Sequence, residues 1–288
     1  MFWYKILLGF CWLLALLPLR CLYLISDLLF VPVTYVVRYR RKVVLENLRN
    51  SFPEKTDKER RKIARKFYRF LCDLFIETIK LLHVDTPQMR RRIHYSNPEI
   101  FDELYRKNKQ LFIAAGHFGN WEWATTLTKT NPYHHASLYQ PLENKIFDRF
   151  IYHLRTRSGG ELVPSNEAIR KIVQYHQENR LTLLAFISDQ SPPRNAIHYW
   201  TSFLNQETPI HMGIEKLAKR YNAAVLYYEI RRVKRGYYEV EATLICENAA
   251  ETADKEITNQ HVHLLEQSIR RNPPYWLWSH RRWKHKRV

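Results

Sequence analysis

The sequence predicts an α/β fold: a mixed, mostly parallel sheet flanked by helices, preceded by an apolar helical segment. Three observations carry that prediction. From about Gln110 onward, short apolar runs alternate with stretches of three-to-four periodicity. Two of those runs, Leu111–Ala115 and Leu181–Ser188, are apolar on both parities, as strands covered on both faces are. Residues 1–37 differ sharply from the rest, being almost continuously apolar. A chain of 288 residues, 45% hydrophobic, suits one large domain with such a segment attached. The division is therefore read as 1–37, an N-terminal membrane anchor, and 38–288, the main domain.

Within residues 1–37, Ile6–Leu19 and Cys21–Val37 are apolar, interrupted by Pro18, Arg20, Asp27 and Pro32. The total length can span a bilayer, but Arg20 and Asp27 near its middle are costly in hydrocarbon. One tilted span and two short helices in one leaflet both remain open. No small-x-small cleavage pattern follows, which argues against a removed signal. The basic run Arg38-Tyr-Arg-Arg-Lys42 then favours a cytoplasmic position next to anionic headgroups.

Thr56-Asp-Lys-Glu59 is a capping box, and Ile63, Phe67, Phe70, Leu74 and Leu81 continue a helix to about His83. After the strand Leu111–Ala115 come a helix at Asn120–Thr130, a weaker strand at Ala136–Tyr139, and helices from Asn144 to Thr156 and Asn166 to Asn179. Leu181–Ser188 is the second buried strand. Thr208-Pro209 reads as an N-cap followed by proline at the first helical position, opening a helix to Tyr221. Ala223–Val233 and Tyr237–Cys246 form a hairpin across Lys234-Arg-Gly236, and a final helix runs from Asp254 to Arg271.

The formal charge of +18 calls for an anionic partner, whether nucleic acid, an anionic membrane, or an acidic or phosphorylated substrate. Nucleic acid is not expected, because no recognised binding motif is present; a basic membrane-associated nucleic-acid-binding protein remains the rival from another class. Four scattered cysteines argue against a disulfide framework and against a cysteine-rich zinc site.

The chemistry centres on Leu111-Phe-Ile-Ala-Ala-Gly-His-Phe-Gly-Asn-Trp-Glu-Trp123. His-x4-acid spacing occurs three times, at His94/Glu99, His117/Glu122 and His261/Glu266, so spacing alone decides nothing. On one helix the two positions lie about 140° apart, which removes His261/Glu266. His94/Glu99 spans Asn97-Pro98 and reads as surface loop. His117 ends a strand, Phe118-Gly119-Asn120 turns the chain, and Glu122 falls in the first helical turn. His117 is then a general base and Glu122 the carboxylate that fixes its tautomer. With no Gly-x-Ser-x-Gly elbow and no cysteine beside a histidine, the pair would activate a substrate hydroxyl or water directly. Attack on an acyl carbonyl creates an oxyanion, for which Arg155 and Arg157 are candidate donors; Asn120, in the turn, is a further candidate for substrate or transition-state contact.

With these motifs in order the chain resembles the secondary (late) lipid A acyltransferases of Gram-negative bacteria. These are the lauroyl/myristoyl transferase family within the lysophospholipid acyltransferase-like superfamily. The motifs are His117-Phe-Gly-Asn-Trp-Glu122, Tyr139-Gln-Pro-Leu-Glu-Asn144, Arg155-Thr-Arg157-Ser, Ser188-Asp189-Gln190 and Pro274-Tyr-Trp-Leu-Trp-Ser-His-Arg281-Arg282-Trp-Lys284. Two departures are Gln140, where the family usually has arginine, and Asp189-Gln-Ser-Pro-Pro, which lacks the usual Asp-Tyr-Gly. The resemblance implies a glycerolipid-acyltransferase-like fold and a catalytic His117/Glu122 pair, with Arg155 and Asp189 as further site residues. It also implies transfer from an acyl carrier protein thioester to a hydroxyl of a phosphorylated glycolipid, with neither metal nor bound cofactor, at the cytoplasmic face of the inner membrane. Another membrane lipid, such as an aminolipid or a glycosylated phospholipid, is the alternative acceptor. Arg281, Arg282 and Lys284 are candidate contacts for phosphate or carrier protein.

Overall fold

A computed structural model describes residues 2–83 and 86–287. The apolar N-terminus forms α1 (Phe2–Leu16) and α2 (Leu19–Val31), separated at the extended Pro18, and α2 runs on as a π-helical turn over Pro32–Val36. Next come α3 (Arg41–Ser51) and the long α4 (Asp57–Lys80). The predicted capping box is formed in full, with Thr56 Oγ1 accepting from the Glu59 amide and the Glu59 carboxylate accepting from the Thr56 amide. The chain continues through α5 (Thr86–Arg90), β1 (Ile93–Tyr95), α6 (Glu99–Arg106), β2 (Leu111–Ala115) and α7 (Trp121–Ala124). Then follow β3 (His134–Tyr139), α8 (Lys145–Thr156), β4 (Glu161–Pro164), α9 (Ala168–Gln177) and β5 (Thr182–Ile187). The last third contains β6 (Trp200–Phe203), β7 (Gln206–Pro209), α10 (Gly213–Tyr221), β8 (Ala224–Lys234), β9 (Tyr237–Cys246) and α11 (Glu256–Arg271).

Seven strands make one sheet in the order β1-β9-β8-β2-β5-β3-β4, and β6 pairs with β7 in a separate hairpin. Every pairing in the large sheet is parallel except β8–β9. Strand β2 sits between β5 and β8 with all five residues buried. Phe112 and Ala114 join the apolar layer on one face, while Leu111, Ile113 and Ala115 join the layer on the other. This is the two-sided cover the unbroken apolar runs predict.

The N-terminal helices pack on this body rather than standing off it. Cys11, Ala15, Leu19, Leu22 and Phe30 are buried, and Ser26 donates to Asp73 at 2.7 Å. Asp27, costly on sequence grounds, is matched by the Arg235 guanidinium at 2.9 Å. The opposite side exposes Phe2, Trp3, Phe10, Leu13, Leu24 and Leu28. Contiguous apolar surface of this kind marks a membrane or partner face, and the helical stretch Leu19–Val36 is long and apolar enough to cross a bilayer.

Three local readings need correction. Thr208-Pro209 does not open a helix. It ends β7, and α10 starts at Gly213. The reason is tertiary: the Thr208 hydroxyl accepts from the Trp283 indole at 2.7 Å and the Pro209 carbonyl accepts from Arg282, which fixes that stretch as a strand. The helix expected to reach Thr130 is a single α turn followed by 3-10 turns over Thr125–Lys129. His94 lies on the edge strand β1 with its side chain exposed, and Glu99 opens α6, so that pair is not loop.

Candidate active site

Parallel register builds the site. In the β2–β5 pairing Ala115 stands opposite Ile187, and His117 and Asp189 each follow two residues later. The two side chains therefore emerge together beyond the carboxyl ends of adjacent central strands, where α/β sheets place their ligands. Asp189 Oδ1 lies 2.6 Å from His117 Nδ1. Its Oδ2 accepts from the His117 amide at 2.8 Å and from the Trp276 indole N–H at 2.7 Å. An ionised carboxylate can only accept, so Nδ1 carries the proton and Nε2 holds the free lone pair. Gln190 Nε2 stands 3.3 Å from that lone pair, and Trp121 meets the ring edge-on with centroids 5.0 Å apart. Asp189 is 5% exposed. Burial pushes its pKa up, but the facing imidazole and the N–H donors outweigh that and hold it below the usual carboxylate range.

Glu122 does not take the place expected of it. Its carboxylate turns away from the ring into a two-point pair with Arg155, Nε to Oε2 at 2.8 Å and Nη2 to Oε1 at 2.5 Å. The Trp121 indole adds a third bond at 3.1 Å. Burial would raise the Glu122 pKa, yet the guanidinium prevails and keeps it low. The imidazole's orienting carboxylate is thus Asp189, and Glu122 orients Arg155. The physical cause is reach: α7 points Glu122 toward α8, whereas the strand register delivers Asp189 to the ring.

Asn120 is fully buried and committed at both ends. Its Oδ1 caps α7 by accepting from the Trp123 amide at 2.9 Å, and its Nδ2 donates to Glu77 at 2.7 Å. This corrects its assignment as a substrate contact, since neither end faces an open site. Glu77 also accepts from Tyr23 of α2 and Tyr238 of β9, so one buried carboxyl, its pKa pushed up by burial, joins the N-terminal helices to the His117 turn. Arg157 is exposed at the end of α8. Arg281 and Lys284 are exposed as well, whereas Arg282 is 1% exposed and donates to the Pro209 carbonyl at 2.7 Å. An inward guanidinium cannot meet a surface phosphate or carrier, so that reading of Arg282 is corrected. His261 is buried on α11, and Glu266 on the same helix accepts from the Leu204 amide, which keeps the third His/Glu pair apart.

Sequence reasoning missed the roles of Trp276 and Gln190. The C-terminal segment wraps the turn: the Leu277 amide bonds to the His117 carbonyl at 3.1 Å, the Gly119 amide bonds to the Tyr275 carbonyl at 3.0 Å, and Trp276, Trp278 and Trp283 are buried behind it. The density of tryptophan in that run was the available signal, since buried indoles need N–H partners.

An apolar cavity of about 80 Å³ opens along one sheet face. Ile113, Leu183, Ala185 and Tyr228 line it, together with Trp121 and Arg155. Ala115 and Ile187 also belong to its wall, so the cavity reaches to within two residues of both His117 and Asp189.

The chain is 23% identical over 134 residues to the lipid A biosynthesis myristoyltransferase of Escherichia coli K12. It is also 23% identical over 134 residues to the lipid A biosynthesis acyltransferase 1 of Shigella flexneri. Each match covers 46% of this chain and 42% of the relative. The family model of the bacterial lipid A biosynthesis acyltransferases matches residues 1–285, and the chain belongs to that family.

Proposed function

We propose that this protein is an O-acyltransferase that moves a fatty acyl chain from an acyl carrier protein thioester to a hydroxyl of a partly acylated, phosphorylated lipid A precursor. It would do so at the cytoplasmic face of the bacterial inner membrane. The observation that carries the reading is the His117–Asp189 pair set beside a mostly apolar cavity that Arg155 also lines. His117 Nε2 takes the hydroxyl proton as the new O–C bond forms at the thioester carbonyl. Asp189 holds the tautomer and stabilises the imidazolium, which returns the proton to the departing thiolate. Arg155 spends Nε and Nη2 on Glu122, which leaves its remaining amino group to donate to the developing oxyanion. The exposed apolar side of α1 and α2 supports placement in a membrane, and the net charge of +18 suits an acidic carrier and a phosphorylated acceptor.

The test is mass spectrometry of membrane lipids from cells with and without the protein. Loss of one acyl chain from lipid A supports the reading and gives the donor length from the mass difference. An unchanged lipid A with one fewer acyl group on another lipid would move the acceptor to that lipid.

Arg155 and Glu122 act as one unit in this scheme. Arg155→Ala should lower kcat roughly 10²–10³-fold, the usual effect of losing an oxyanion donor, and Glu122→Ala should fall in the same range. The double variant should be no slower than either single one, because both remove the same contact. Losses that multiply in the double variant would show that the two residues work separately.

A further inference from the structure

The N-terminal helices are joined to the body along their whole length. α2 runs antiparallel to the second half of α4, and the contacts step along both helices in order. At one end the Lys80 ammonium donates to the Ala15 and Leu17 carbonyls at 2.7 and 3.0 Å, closing the carboxyl end of α1. Tyr23 donates to Glu77 at 2.6 Å, and Ser26 to Asp73 at 2.7 Å. The Arg69 guanidinium lies 5.0 Å from the Phe30 ring centroid, and the Tyr68 hydroxyl donates to the Tyr39 carbonyl at 2.8 Å. The β8–β9 turn adds Arg235, which pairs with Asp27 at 2.9 Å and Asp73 at 2.6 Å and lies 4.4 Å from the Tyr23 ring centroid. Asp73 also accepts from Arg232 at 2.7 Å.

These contacts decide how the helices can meet a bilayer. As a helix the stretch Leu19–Val36 is about 27 Å long, close to the roughly 30 Å of bilayer hydrocarbon, so length alone allows it to cross. Crossing while docked would carry the adjoining half of α4 into hydrocarbon, with Arg69, Asp73, Glu77 and Lys80, together with Arg232 and Arg235 of the hairpin. Crossing undocked would leave Asp27, at the middle of the stretch, in the bilayer centre without Arg235. It would also take Ser26 from Asp73 and Tyr23 from Glu77, two carboxyl groups buried in the body. Either route sets charge in a medium that disfavours it strongly. A position in the plane of one leaflet avoids both. The side of α2 turned away from the body carries Leu24, Leu28, Val31 and Tyr35, all exposed and spaced as one helical stripe. Polar contacts on the inner side and an apolar stripe on the outer are the pattern of a helix that lies in the interface.

We infer that α1 and α2 form a docking surface for a single anionic leaflet, with the amino end of α1 and the rest of the chain on the same side of the membrane. The inference rests on the membrane placement proposed above and gives it a geometry: Leu19–Val36 does not cross. Charge identifies the occupant. The apolar run ends at Val37, and Arg38, Arg40, Arg41 and Lys42 follow, all exposed. Arg40 donates to the Ser279 carbonyl at 3.0 Å, which sets this run beside the C-terminal segment that carries the exposed Arg281 and Lys284. A basic border next to an apolar face matches the headgroups and acyl chains of an anionic leaflet. Lys5 and Arg20, exposed on the helices themselves, have stems long enough to lift their charges from an in-plane helix to headgroup level. Glu77 receives both Tyr23 and Asn120, so the docked helices and the His117 turn form one body. The leaflet thereby sets the height of that turn above the acyl chains.

The experiment binds the full chain to vesicles of phosphatidylethanolamine and phosphatidylglycerol. With the native cysteines replaced by alanine, Leu24→Cys, Leu28→Cys and Tyr35→Cys each carry a fluorophore, and lipids bearing a quencher near the headgroup or near the chain end report its depth. An in-plane helix gives the same quenching ratio at all three positions, with the shallow quencher the stronger. Deep quenching that dominates at Leu28 and fades at the other two positions is the mark of a span and overturns the inference. Exchanging phosphatidylglycerol for phosphatidylcholine should weaken vesicle binding at least about tenfold, as the loss of two or more basic contacts would; undiminished binding overturns the anionic occupant. The second measurement keeps every cysteine and so stands if the cysteine-free chain does not fold. A protease-cleavable tag before Met1 should be cut in inverted inner-membrane vesicles and protected in spheroplasts. The reverse result overturns the topology while leaving membrane placement intact, and a chain that does not bind vesicles at all overturns both.

Discussion

Asp189→Asn should slow acyl transfer roughly 10³–10⁴-fold, the scale known for carboxylate–imidazole pairs whose tautomer is reversed. The geometry gives the reason. Oδ2 accepts two N–H bonds, from the His117 amide and the Trp276 indole. Asparagine has one oxygen, and those two donors claim it. Its amide nitrogen then faces His117 Nδ1, where it must donate. The ring is held with its proton on Nε2, the atom that has to take the hydroxyl proton. His117→Ala should lose activity on the same scale and also lower the unfolding midpoint, because the buried Asp189 Oδ1 is left without its partner. Steady-state kcat alongside thermal unfolding checks both variants, and a kcat within tenfold of wild type for either would contradict the mechanism.

Gly119→Ala should cost at least about 3 kcal/mol of stability, placing it among the severe single substitutions. Gly119 has φ of +64°, a conformation that L side chains seldom adopt. A Cβ there would also stand 1.9 Å from the Ile230 carbonyl oxygen and 2.9 Å from its carbon. Those are backbone atoms of β8, so no side chain can swing aside to relieve the overlap. The turn would have to move, and with it His117, which lies two residues away. Gly213→Ala is the matched control: nothing stands within 4 Å of its added Cβ, and the residue opens α10, so stability should hold or rise slightly. Denaturant titration of the two variants makes the comparison, and equal stabilities would refute the argument.

The layers of the fold were legible because periodicity is local. β2, β5, the β8–β9 hairpin and α4 with its cap stand where apolar runs and cap residues place them. The short strands β1, β4, β6 and β7 were not, since three or four residues carry too little alternation to separate strand from loop. In the candidate site, His117 was visible from its setting at a strand end. Its carboxylate partner was not, because that depends on which strand lies beside β2. Glu122 is five residues from His117 in sequence, whereas Asp189 is 72 away and reaches the ring only through parallel register. Arg282 was obscured for a related reason: arginine in a basic C-terminal run looks solvated until the tryptophans around it are seen to be buried.

The indole that bonds Asp189 lies 87 positions further along the chain, in the segment that also covers the His117 turn. During synthesis the sheet strands leave the ribosome first, while this segment is still to be translated. The His117–Asp189 pair therefore lacks its supporting wall until residues 275–277 have been made, long after the apolar helices α1 and α2 are free to meet a bilayer.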